Sequence, residues 1–64
     1  MKLSEKKLTV TIEDDRLHID CIREDGSGRL QNHSTEGLQE RQILELIAEK
    51  VLLLLVLELR EENK

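Results

Sequence analysis

A chain of 64 residues with one cysteine and no aromatic residue or proline amounts to one domain whose core must be built from Leu, Ile and Val. At this size such a core is thin unless a disulfide, a metal or self-association supports it; Cys21 has no partner for an intrachain disulfide, and one Cys with two His at unpaired spacing argues against zinc. Ten Lys+Arg against 14 Asp+Glu give a formal charge of −4, and the absence of both a basic half and aromatic stacking platforms disfavours nucleic acid as a partner.

Residues 1–6 read as a flexible N-terminal segment. MKLSEKKLTV contains neither an apolar h-region nor a small-residue cleavage site, so it is not read as a signal peptide. From residue 7 the pattern has period two: Leu8, Val10 and Ile12 fall on one face and Thr9, Thr11 and Glu13 on the other, as in a half-buried strand of good β-formers. Asp14-Asp15 supplies a turn. Leu17, Ile19 and Cys21 resume the alternation with His18 and Asp20 facing out, which predicts a β-hairpin over 7–22. Ile22 breaks the polar face and implies partial cover there. Cys21 is expected to be a small core residue, and the three-residue step from His18 sends the two side chains to opposite faces, which rules out a nucleophile–base pair in a regular strand. His18 and Asp20 share a face, but a solvated strand explains them without a metal, and no metal site is assigned.

Residues 23–36 read as a polar loop. REDGSGRLQNHST is dense in turn formers, and Gly26-Ser27-Gly28 marks a flexible or left-handed position. A short third strand over 29–31 is the alternative, with Leu30 as its single apolar residue. This loop holds the candidate ligand site: Arg23, Ser27, Arg29, Asn32, His33, Ser34 and Thr35 are the donors an anion or phosphate needs, beside two glycines and a helix N-terminus. The same residue types also make ordinary turns and caps, and their spacing matches neither a P-loop nor a dinucleotide fingerprint.

Residues 37–62 read as one long helix, with Ser34 or Thr35 as N-cap and Glu36 at the positive end of its dipole. As a helix, 38–61 measures roughly 36 Å against about 20 Å for each strand, so it overhangs the hairpin. The run Val51-Leu52-Leu53-Leu54-Leu55-Val56-Leu57 is apolar all round yet too short to cross a bilayer. On a wheel, Leu44, Ile47, Val51 and Leu54 form a seam ending at Glu58; Leu46, Leu53 and Leu57 form a second stripe and Leu52, Val56 and Leu59 a third. One stripe covers the hairpin. The others need partner chains, since about four such side chains left in water forfeit on the order of 6–12 kcal/mol, more than a domain of this size can usually spare. The expected oligomer interface is Leu44, Ile47, Val51, Leu53, Leu54 and Leu57.

The expected fold is therefore α+β: a β-hairpin followed by one long C-terminal α-helix in the order β-β-α, assembled as a homo-oligomer through intersubunit sheet and helix packing. An isologous dimer is the simplest closed form. The functional expectation is a small, cytoplasmic, non-enzymatic protein-interaction module of adaptor or inhibitor type, with itself and another protein as partners. The alternative is an oligomeric binder of a small anionic ligand or nucleotide through the loops 23–35. No catalytic residue and no cofactor is assigned, and no membrane contact is expected.

Overall fold

A computed structural model describes residues 2–62. In chain order it contains a 3-10 turn at Leu3–Glu5, strands β1 (Lys7–Glu13), β2 (Arg16–Ile22) and β3 (Gly28–Ser34), and helix α1 (Glu40–Glu62). The strands form one antiparallel sheet in the order β1-β2-β3. The class is α+β, and the element order is β-β-β-α rather than β-β-α.

The first hairpin follows the apolar alternation. Asp14 and Asp15 both take left-handed φ, +49° and +59°, as a type I′ two-residue turn requires. The register set by this turn places Leu8 opposite Cys21, Val10 opposite Ile19 and Ile12 opposite Leu17, so both apolar sets share one face of the sheet. On that face Leu17, Ile19 and Cys21 are fully buried, whereas Leu8, Val10 and Ile12 remain 41%, 39% and 50% exposed.

The polar stretch after the hairpin contains a seven-residue strand where a loop with at most three strand residues was expected. Its side chains offer no apolar alternation: Arg29, Gln31 and His33 lie opposite Cys21, Ile19 and Leu17 on the inner face, and Leu30 points outward. The turn specifies it instead. Arg23 N–H donates to Ser27 O (2.7 Å), Gly26 N–H donates to Arg23 O (3.0 Å), and Gly26 sits at φ +87°. This is the three-residue hairpin loop in which a left-handed glycine closes a type I turn. Gly28 then enters the sheet so close to β2 that a Cβ there would stand 2.2 Å from Cys21 O.

Helix α1 starts at Glu40, three residues beyond position 37. Thr35 N–H donates to Asp15 O (2.8 Å) and Leu38 N–H to Thr35 O (3.1 Å). With Gly37 at φ +77°, residues 35–38 form a type II turn, and neither Ser34 nor Thr35 caps the helix. Ser34 Oγ accepts from Glu36 N–H (3.3 Å). At the true start, Gln42 Oε1 accepts from Gln39 N–H (2.9 Å), which is the returning arm of a capping box.

The helix lies on β2. Leu54 joins Leu17, Ile19 and Cys21 in the buried cluster, with Leu46, Ile47 and Val51 packed against it. At about 35 Å the helix outruns strands of about 23 Å, and the molecule measures 38 × 18 × 17 Å. Glu58 ties the helix's C-terminal part to the Cys21 end of the sheet, so the overhang falls at the N-terminal turns, where Leu44 is 60% exposed. Among the described residues no helix is long and apolar enough to cross a membrane.

Candidate functional site

Charge gathers around a buried carboxylate where the last turns of α1 cross the sheet. Glu58 stands four residues after Leu54, hence on the same helical face and aimed at the sheet, and it is 1% exposed. Arg23 directly follows β2 and Arg29 is the second residue of β3, so the tight loop between them brings two guanidinium groups to one end of the hairpin.

Arg23 donates to Glu58 Oε2 from Nη2 (2.7 Å) and Nε (3.2 Å), and its Nη2 also reaches Glu61 Oε2 at 2.8 Å. Arg29 pairs through Nη2 with Glu61 Oε1 (2.8 Å), while its Nε stands 3.6 Å from Glu58 Oε2, a buried donor without a hydrogen-bond acceptor. Arg23 Nη1 donates to Ser27 Oγ (3.0 Å), and the Ser27 hydroxyl donates to Asp25 Oδ1 (2.6 Å). On the opposite flank, Lys6 Nζ pairs with Glu62 Oε1 at 2.8 Å.

These contacts set the protonation chemistry. Hydrogen bonds from Arg23 hold the Glu58 carboxyl below its ordinary range against the opposing effect of burial, with the charges of Arg23, Lys6 and Arg29 adding to the shift. Burial pushes the Cys21 thiol up, and the neighbouring Glu58 charge pushes it the same way; its Sγ lies 3.9 Å from Glu58 Oε1. A reactive cysteine needs the opposite environment, a nearby cation and a lowered pKa. The arrangement suits a clamp: two sheet arginines gripping two helix glutamates one turn apart. An unpaired carboxylate at Glu58 would be strongly destabilising.

Of the seven residues expected to bind an anion, Arg23, Ser27 and Arg29 come together, and both guanidiniums are engaged by Glu58 and Glu61. The other four lie elsewhere along and beyond β3. Asn32 is on the outer face, where its Oδ1 accepts from His18 Nδ1–H. His33 is on the inner face and donates from Nε2 to Gln31 Oε1 (3.2 Å). Ser34 and Thr35 lie at the far end beside Asp15. Of the six residues expected at an oligomer interface, Leu54 is buried in its own chain and Ile47 and Val51 pack against it; Leu57 is half-buried and Leu44 and Leu53 are exposed.

Glu58 and Glu61 escaped the sequence reading. The available signal was a charge at the next position of the apolar seam, since a carboxylate facing a core must find a cation. Among the described residues no cavity opens, and no three His, Cys, Asp or Glu side chains converge as metal ligands. Comparison with protein-family models, curated proteins and solved structures gives no significant match to this chain.

Proposed function

We propose that this protein is a non-enzymatic, self-associating interaction module, in its simplest form a homodimer. The observation that carries this reading is the apolar surface left open on the inner side of β1. Lys6, next to β1, pairs with Glu62, and Arg29 on β3 pairs with Glu61. Successive helix residues turn by 100°, so the Glu62 side of α1 faces the β1 edge. Leu44, Leu55 and Leu59 share that side, and with Leu8, Val10 and Ile12 they make one apolar face. Leu8, Val10, Ile12, Leu44 and Leu59 all count among the exposed large hydrophobics. Covering these five half-open side chains amounts to on the order of 4–7 kcal/mol per chain, at about half of the full burial value. That is comparable to the whole stability of a small domain.

Sedimentation equilibrium at micromolar concentration tests the reading. The expected result is a mass at least twice the 7.5 kDa of the chain. A cooperatively unfolding 7.5 kDa monomer would sink it.

Binding of a small anion at Arg23 and Arg29 is the second reading, favoured by the convergence of two guanidiniums that each retain 27% exposure. It requires an anion to displace Glu61, which is 49% exposed, from its two arginines. Millimolar inorganic phosphate should then raise the melting temperature by mass action, and Arg29→Ala should remove the shift.

A further inference from the structure

The two edges of the sheet differ. β3 carries Arg29 and His33 on its inner face, and inward-pointing charged or polar groups discourage pairing with another chain. β1 has no such protection. Its sequence Lys7-Leu8-Thr9-Val10-Thr11-Ile12-Glu13 contains no proline, glycine or bulge, and all seven residues pair with β2 in unbroken register. The free backbone groups of this edge can be identified. A two-residue turn makes Glu13 and Arg16 a hydrogen-bonded pair, and alternation then directs the N–H and C=O of Thr11, Thr9 and Lys7 toward β2. Those of Leu8, Val10 and Ile12 point away from the sheet.

We propose that a second copy of this chain pairs its β1 antiparallel with the first, about a twofold axis through Val10, to form a continuous six-stranded sheet. This deepens the self-association reading and rests on it. The strand is self-complementary in that register. Lys7 meets Glu13 of the second copy at both ends, Leu8 meets Ile12, Thr9 meets Thr11, and Val10 meets Val10. The hydrogen-bonded pairs are those whose backbone groups are free, Leu8 with Ile12 and Val10 with itself. The opposite charges and the threonines fall at the non-hydrogen-bonded positions, where side chains approach most closely. A slip of two residues places Lys7 opposite Thr11, or Glu13 opposite Thr9, and loses both charge pairs. Parallel pairing in register stacks Lys7 on Lys7. Antiparallel pairing also lays the two open Leu8-Val10-Ile12 faces side by side, with the Glu62 sides of the two helices turned toward each other above them. The edge and the uncovered apolar face are closed by the same isologous contact.

The test uses the intact protein at about 10 μM, with sedimentation equilibrium for mass and circular dichroism for fold. The wild type should be a dimer. Val10→Lys puts like charges on the axis at a half-exposed position and should give a folded monomer. Lys7→Glu and Glu13→Lys should each weaken the dimer by about tenfold through two like-charge pairs, and an equimolar mixture of the two should recover wild-type affinity, because every cross-strand charge pair in the heterodimer is again opposite. In a mixture of isotope-labelled and unlabelled wild-type chains, an intermolecular cross-peak between Thr9 Hα and Thr11 Hα should appear. This readout decides the register even if Val10→Lys does not fold. A dimer lacking that cross-peak and insensitive to the charge exchange overturns the β1 pairing while leaving self-association standing. A monomeric wild type overturns both, and a trimer or larger ring overturns the twofold pairing.

Discussion

Glu58 is the residue on which the helix–sheet contact turns. It occupies the position at which the apolar seam would continue, and the chain tolerates a buried carboxylate there because Arg23 donates two hydrogen bonds to it. The consequence is a pH dependence. A carboxyl whose folded pKa lies below its unfolded value adds stability that is present above the unfolded value and is lost as pH falls through the folded one. For Glu58, with an ordinary value of 4.5 lowered by Arg23, stability should decline as the pH drops below about 4.5. Arg23→Ala removes the two hydrogen bonds that lower the carboxyl and leaves burial to push it up, so the folded pKa moves back toward or past the unfolded value. The variant should be less stable at neutral pH and lose less on acidification, giving a flatter profile. Melting temperature measured from pH 7 to 3 checks this. Superimposable profiles for wild type and variant would show that Arg23 does not hold the carboxylate.

At the scale of elements, β3 is the informative case. Strand prediction depends on an apolar face, and β3 has none to show: its inner positions are filled by Arg29, Gln31 and His33, which complete the edge of a core already closed by β2 and α1. The information lies in two glycines that do different jobs. Gly26 supplies a left-handed turn residue, whereas Gly28 supplies room beside the backbone of β2. Gly28→Ala should therefore destabilise the fold by about 1–3 kcal/mol through overpacking, since the atom it meets is a main-chain oxygen that no side-chain rotation can move. Denaturant titration would check this, and an unchanged midpoint would mean that β3 is free to shift. The helix start carries the same lesson. Ser34 and Thr35 are good caps by composition, but Thr35 is drawn into a backbone bond with Asp15 and Gly37 turns the chain once more before Glu40.

For the whole molecule, the decisive quantity is how little is buried. Among the described residues only Leu17, Ile19, Cys21 and Leu54 form the fully enclosed apolar cluster, so removal of one large member should be felt globally. Leu54→Ala should cost about 2–5 kcal/mol, a major part of the roughly 3–10 kcal/mol available to a domain of this length. Loss of the cooperative thermal transition, or a fall of well over 10 °C, is the expected result. Retention of the wild-type transition would place the stability of the fold outside this cluster.

The amino-acid pattern by itself determined the hairpin, its turn and the seam of α1, because each is written in local chemistry: period two for the strands, paired aspartates for the turn, and a 3-4-3 spacing for the helix. The tertiary structure alone decided which partners those elements meet. Arg23 and Arg29 look like ligand donors in a linear sequence, yet 35 and 32 residues later Glu58 and Glu61 occupy them. Ile47, Val51 and Leu54 look free for another chain, yet they cover the chain's own β2. Local periodicity says that a face is apolar or that a group is charged. Only the path of the chain through space says what lies against it.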